Sequence, residues 1–329
     1  MTTRRILLHS AAAASLATLG LPGKSKAQAS TKLARIVVPF PAGGGTDAAA
    51  RALAERIRHV FPSGLIVENR PGAAGRLGVE WVKNAEPDGL TMMFVPDQVL
   101  TIYPHSYRRL NYDPITDFAP VAQCAASSYA LTAGPALPPS VVNVRQFIDW
   151  CSANPKSAVI ANNSAGSPTH FVAVMLASSA RIDVIHISYK GGAPALQDLI
   201  GGQVPVSVNP VGEVMPHLKS GKLRVLATTG RTRNRFVPEA PTLVESGLPN
   251  VMADAWLGVL MPGKTPAEAI SRVAAAIGTA VQLPEVRDAY ASFGMEVTQS
   301  TPASMAAKIK ADIASWGVAV ASSGFKAED

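Results

Sequence analysis

What this chain lacks narrows what it can do. Only 2 cysteines and 6% aromatic residues occur in 329 residues. Cys124 and Cys151 can form one disulfide or stand as two separate buried thiols, and both readings suit an oxidising compartment. Beyond the first 29 residues there is no long apolar span, low-complexity tract or short-period repeat, so no membrane helix is expected. No Lys/Arg run is present to follow a phosphate backbone, and few aromatics are present to stack on bases, so nucleic acid is not an expected partner. The five later histidines (His59, His105, His170, His186, His217) stand far apart without ligand spacing, so no metal or cofactor is expected. Gly-x-Ser-x-Gly is absent and no two carboxylates stand out as an acid/base couple, so no catalysis is expected.

The first 29 residues read as an export address. Thr3-Arg4-Arg5-Ile6-Leu7-Leu8 gives a charged start, and 10–20 an apolar region too short to span a bilayer. Ala27-Gln28-Ala29 offers a small-residue cleavage site before Ser30. Pro22, Gly23, Lys24 and Lys26 interrupt any helix continuing from it. The paired arginines fit Sec and twin-arginine export equally. No cysteine follows the cleavage site, which argues against a lipid anchor, and a periplasmic protein is expected. The formal charge of +7 loses Arg4, Arg5, Lys24 and Lys26 with this segment and falls to +3. The roughly 300 residues that remain exceed one comfortable core and suggest two domains.

From residue 34 strand and helix patterns alternate. Residues 36–40 read as a buried strand. Ala50, Leu53, Ala54 and Ile57 form an i, i+3, i+4, i+7 stripe with Arg51, Glu55 and Arg58 on the wet face. Residues 65–67 are the next strand, Ala74, Leu77, Trp81, Val82 and Ala85 mark a second helix, and Asp88-Gly89 turns into a strand over 90–95. A second run begins with a strand at 158–161, a small polar loop at 162–167 and a helix from Pro168 to about 180, with Ser167 as N-cap. Strands at 183–187, 204–208 and 223–228 follow, separated by helices ending near 200 and 219. The C-terminal part reads as helical, with a capping box at Thr265-Pro266-Ala267-Glu268 and a last helix from Thr301-Pro302 to about 320. This alternation implies an α/β fold with parallel sheets.

The most informative stretch is Arg35-Ile36-Val37-Val38-Pro39-Phe40-Pro41-Ala42-Gly43-Gly44-Gly45-Thr46-Asp47. It describes a strand, a loop of bare backbone and a helix whose N-terminus faces the loop. Glycine admits a ligand close to the backbone, and the first helical amides have no internal partner, so the place suits an anion. Gly43-x-Gly45-x-x-Ala48, with Glu68 ending the next strand, formally satisfies a loosened dinucleotide fingerprint. The flanking prolines stiffen the approach, however, and an exported protein has little use for free NAD. No Lys-Ser or Lys-Thr follows the glycines, which excludes a Walker A loop. Close packing alone is the remaining reading of the three glycines. The loop at 162–167 repeats the device without repeating the sequence.

At these residues the chain resembles the periplasmic solute-binding proteins of tripartite tricarboxylate transporters, the Bug or TctC family. Val38 to Asp47 resembles the family's first ligand loop, and Val67-Glu68-Asn69-Arg70-Pro71-Gly72-Ala73-Ala74-Gly75 its second signature. Pro87-Asp88-Gly89, Tyr112-Asp113-Pro114-Ile115-Thr116-Asp117-Phe118-Ala119-Pro120, Tyr189-Lys190-Gly191-Gly192-Ala193-Pro194-Ala195-Leu196, Gly201-Gly202-Gln203-Val204 and Gly221-Lys222-Leu223-Arg224 complete the series, in order. The resemblance implies a two-lobed clamshell, each lobe a mainly parallel sheet flanked by helices, that closes on a small organic anion, usually a carboxylate. Lobe one is expected over 30–128 plus 254–329 and lobe two over 129–253, with crossings near 124–131 and 254–260. The ligand is expected on backbone amides and waters at Phe40, Pro41, Ala42, Gly43, Gly44, Thr46 and Asp47 in lobe one. In lobe two the matching positions are Ser164, Ala165, Gly166, Ser167, Thr169 and His170. Asp97, Gln98, Tyr189 and Asn209 are candidate walls, each with bracing or packing as the alternative. Asp47 is expected to cap or brace its loop, with selection of an amino or hydroxyl group as the other reading.

Ser164, Pro205 and Asn209 depart from the family's pattern, and the strand end near Asn209 is less acidic than is usual there. That favours a second negative group or an uncharged body over an ammonium. Delivery to membrane permease subunits by a monomer is the implied role. A sensory protein feeding a receptor and an exported enzyme on the same scaffold are its rivals.

Overall fold

The computed structural model describes residues 32–327. The expected leader and its cleavage site lie outside them. Strand β1 (Ala34–Val38) buries Ala34, Ile36, Val37 and Val38. Both its faces are covered, which is why it reads as an apolar run and not an alternation. It ends two residues short of the expected boundary, because Pro39 brings no N–H to a sheet ladder. Helix α1 (Gly45–Ile57) buries the expected stripe and leaves Arg51, Glu55 and Arg58 exposed. Strands β2 (Leu65–Asn69) and β3 (Thr91–Pro96) flank β1 in parallel.

Helix α2 (Arg76–Lys83), between β2 and β3, corrects the expected face. Gly78, Val79 and Val82 are buried, whereas Leu77 is 57% exposed. A Cβ on Gly78 would stand 2.7 Å from the Arg70 carbonyl oxygen and from Pro39 Cβ, so the helix approaches its neighbours along the glycine. A hydrophobicity pattern cannot register that contact. Ala74 precedes the helix in a tight turn with φ 55°.

Two one-turn helices, α3 (Gln98–Thr101) and α4 (Tyr103–Ser106), lead to β4 (Phe118–Ala133), the longest strand described. The second βα run comprises α5 (Val144–Ala153), β5 (Val159–Asn162), α6 (Pro168–Ala180), β6 (Ile185–Ser188), α7 (Gly192–Ile200), β7 (Val206–Pro210), α8 (Val211–Leu218) and β8 (Arg224–Thr228). The chain then returns as β9 (Asp254–Pro262), followed by α9 (Ala267–Ala280), α10 (Pro284–Ala291), β10 (Glu296–Val297) and α11 (Pro302–Ser323).

One path of strands, β2-β1-β3-β9-β4-β7-β5-β6, runs through the molecule, with β8 and β10 also on β4. The outer strands pair in parallel, and the antiparallel pairs gather at β4 and β9. Residues 118–128 of β4 face β9, and residues 129–133 face β7. Register shifts at Pro120/Ala122, Gln123/Ala125 and Leu131/Thr132 let this strand bend as it changes partner. The result is a mixed α/β fold, a curled sheet with helices flanking it.

Two smaller points are settled by packing. Cys124 and Cys151 are free and buried, and burial pushes the Cys151 thiol up to about 12, so neither is a reactive thiolate. The capping box expected at Thr265 is absent. Pro266 itself is the N-cap of α9, extended at ψ 139°, so the helix starts one residue late and Thr265 Oγ1 is buried with no partner among the described residues. Thr301 does cap α11, exchanging bonds with Ser304 as a true capping box. Among the described residues no helix is long and apolar enough to cross a membrane.

Candidate functional site

Two loops, each between a strand and the start of a helix, share one internal device. In the first, Gly43 takes φ 85° and its N–H donates to Asp47 Oδ2 at 2.9 Å. In the second, Gly166 takes φ 73° and its N–H donates to His170 Nδ1 at 3.2 Å. Each left-handed glycine is thus pinned by a side chain four residues on, in the first turn of the following helix.

Asp47 is fully engaged. Arg51 Nε donates to both its oxygens at 3.0 and 3.1 Å, and Asn69 Nδ2 donates to Oδ1 at 2.9 Å. Asn69 Nδ2 also reaches the Phe40 carbonyl at 3.1 Å, and Arg51 Nη2 holds Asn69 Oδ1 at 2.9 Å. Burial alone would raise the Asp47 carboxyl, but the bonds from Arg51, Gly43 and Asn69 leave it below the usual carboxylate range. Bracing is therefore what Asp47 does. The amides of Gly44, Gly45 and Thr46 have no protein acceptor among the described residues, at the positive end of α1. Pro41, Ala42, Gly43 and Gly44 are exposed.

The second loop is held more elaborately. Ser167 caps α6 by accepting from His170 N–H at 3.3 Å, and its own hydroxyl donates to the Ser164 carbonyl at 2.7 Å. Thr169 Oγ1 accepts from Asn163 N–H at 3.1 Å and lies 2.8 Å from Ser167 Oγ. The Ser164 and Ala165 amides have no protein acceptor among the described residues. His170 must keep Nδ1 unprotonated to hold Gly166, and burial, with His186 5.6 Å away, keeps its pKa below the ordinary histidine value. Phe325, beyond the end of α11, sets its ring edge-on against His170 at 5.9 Å and Phe171 at 5.8 Å.

Two cavities lie against these loops. One, of about 160 Å³, is lined by Ser164, Ala165, Gly166 and Ser167 on one side and by Ala74, Gln98, Tyr103 and Phe325 on others. The other, of about 170 Å³, lies where β4 meets β9 and is lined by Thr46, Asp97, Gln98, Tyr129, Pro210 and Trp256, among others. Gln98 borders both. Thr46, Asp97, Gln98 and Ser164 to Ser167 are therefore brought to cavity walls. Phe40, Asp47, Thr169 and His170 brace the loops from behind.

Two candidates brace as well and line neither cavity. Tyr189 donates its hydroxyl to Asp198 Oδ2 at 2.7 Å; burial, then that carboxylate, pushes it up to about 12. Asn209 is fully buried, donating to Asn163 Oδ1 at 2.8 Å and Glu213 Oε2 at 3.3 Å while accepting from Ser207 Oγ at 2.6 Å. Glu213, in the first turn of α8, brings a carboxyl to that strand end, and burial raises it against the lowering bonds from Asn209 and Asn163.

The sequence reading missed Asn69 as the link between Phe40 and Asp47, although it stood inside the second quoted signature. It also missed Tyr103, whose hydroxyl donates to the Ala74 carbonyl at 2.9 Å, and the lining residues Tyr129, Trp256 and Phe325. No local signal marks those, since each arrives from a distant part of the chain.

Residues 49–325 match the family described as the tripartite tricarboxylate transporter family receptor. BugT of Bordetella pertussis (strain Tohama I) is 29% identical over 293 residues, which cover 89% of each chain. Among solved structures, MatC from Rhodopseudomonas palustris with bound malate aligns at 28% identity and TM-score 0.72, covering 88% of this chain and 98% of that one. An R. palustris protein with adipate aligns at 27% identity and TM-score 0.76, covering 89% and 98%.

Proposed function

Since the chain belongs to the tripartite tricarboxylate transporter receptor family and has the fold of its periplasmic binding proteins, we propose that it captures a small organic carboxylate between two lobes and delivers it to the membrane permease of such a transporter. Lobe one is 30–128 with 254–329 and lobe two is 129–253, meeting where β4 exchanges β9 for β7. The protein works in the periplasm as a monomer, after its leader is removed, and without catalysis.

The observation that carries this reading is the matched pair of loops. In each, the glycine amide is taken by an internal acceptor, which fixes the loop and leaves neighbouring amides for something else. Backbone donors and the two helix dipoles replace a formal cation, so a carboxylate is held without an Arg or Lys. Closure of the hinge excludes competing water and strengthens each of those bonds. Malate and adipate, bound by related proteins, are carboxylates of the size expected here.

Differential scanning fluorimetry and titration calorimetry with mono- and dicarboxylates test the proposal. A ligand at about 100 times its Kd adds roughly 2.7 kcal/mol of stability, an easily read rise in Tm. Stabilisation confined to neutral sugars or to cations, or consumption of a carboxylate on incubation, would overturn it.

A further inference from the structure

Asp97 sits at the start of α3 and is 2% exposed. Its N–H donates to the Trp256 carbonyl at 2.9 Å, and Oδ1 accepts from Trp256 N–H at 3.3 Å. Oδ2 is buried with no partner among the described residues. Lys308, the cation whose charge acts on Asp97, is already paired with Asp312 at 3.1 Å, and Asp312 also accepts from Trp256 Nε1 at 2.7 Å. The Asp312 charge pushes the Asp97 carboxyl further up, and the buried Tyr129 hydroxyl nearby offers no neutralisation. Burial therefore raises the Asp97 carboxyl, and the Trp256 bond opposes it only in part, leaving it at about 7. A buried polar atom without a partner is costly, and few persist in folded proteins without a reason.

The place of that atom supplies the reason. Asp97 lines the cavity of about 170 Å³ together with Thr46, one of the α1 residues whose amide has no protein acceptor. The rest of the wall is mostly apolar, with Ala125, Leu257, Phe293 and Met295. A carboxylate seated on the α1 amides would lay its body along that wall toward Asp97. We propose that Asp97 is the specificity-determining residue of this site, its free carboxyl oxygen accepting a hydrogen bond from a hydroxyl or ammonium group carried by the bound carboxylate. The inference rests on the capture reading above and adds the chemistry of the ligand's second group.

Matched series test it: succinate, malate and aspartate, and butyrate with its 2- and 3-hydroxy and 2- and 3-amino derivatives, titrated into the full-length mature protein. The wild type is expected to bind at least one donor-bearing member about tenfold or more tighter than its unsubstituted parent. Asp97→Leu should bring that ratio to about one. Asp97→Asn keeps the shape and one acceptor, so it should retain part of a hydroxyl preference and lose an ammonium preference. The wild type alone gives a second readout, because an ammonium ligand should ionise Asp97 and release protons, seen as a binding enthalpy that changes with the buffer. Tighter binding of every unsubstituted parent, or a ratio unchanged in both variants, overturns the role of Asp97 while leaving carboxylate capture standing. Failure of all carboxylates to bind the wild type overturns the capture reading, and this inference with it.

Discussion

Asp47 and Asp97 are the same side chain in opposite circumstances. Asp47 receives bonds from Gly43, Arg51 and Asn69, so its ionised form is favoured in the folded state. Asp97 receives one long bond from Trp256 and is favoured un-ionised, with its pKa at about 7. In the unfolded chain Asp97 titrates near 3.8, so between about pH 4 and pH 7 the folded state binds the extra proton. Stability should therefore fall as pH rises through that window, by roughly 4 kcal/mol if the whole shift is expressed, and level off above it. Urea melts of the ligand-free protein from pH 4.5 to 8 should show this slope, and Asp97→Asn should flatten it. An unchanged slope in the variant would mean that Asp97 is solvated. Bracing was one of the two uses the sequence left open for Asp47, and the bonds it accepts from Gly43 and Arg51 are local enough to be guessed there. The state of Asp97 was not legible, because it depends on Trp256, 159 residues away.

Elements with their own local chemistry were read well, and those completed by distant strands were not. Helix α1 shows its stripe and α6 its Ser167-Pro168 start because periodicity and caps are written within a few residues. Strands β4 and β9 were read only as chain crossings. Small residues, Pro120 and register shifts blur the period-two pattern of β4, and its partners on β7 and β9 lie 73 to 144 residues away. Two threonines followed by proline looked alike, yet only Thr301 became a cap. Thr301→Ala should cost about 1 kcal/mol, because the Ser304 N–H loses its acceptor. Thr265→Val should be neutral or stabilising, because the hydroxyl it removes is buried with no partner among the described residues. Thermal melts that rank the two variants the other way would contradict these cap assignments.

At the scale of the molecule, α11 does more than cover the core. It packs on α3, α4 and β4 and also on α6, and the residues after it continue the same connection. Gly324 takes φ 65° and turns the chain, Phe325 packs on His170 and Phe171 behind the second loop, and Ala327 N–H donates to the Ser106 carbonyl at 2.8 Å. The tail thus ties the loop before α6 to the end of α4, on the other side of the cavity they share. The tie also explains a constraint on Gly166. A side chain there would need a strained positive φ, and its Cβ would collide with the Phe325 ring. If both statements hold, the two residues are energetically coupled. Gly166→Ala should lose stability and weaken carboxylate binding, and Phe325→Ala should weaken binding through a faster off-rate because the loop loses its backing. In the double variant the collision is gone and only the backbone strain remains, so the two losses should sum to less than their separate values. A double-mutant cycle on Tm and on dissociation rate measures this directly. Strict additivity would mean that the tail and the loop do not touch in solution, whereas coupling of about 1 kcal/mol is what contact between neighbours of this size produces.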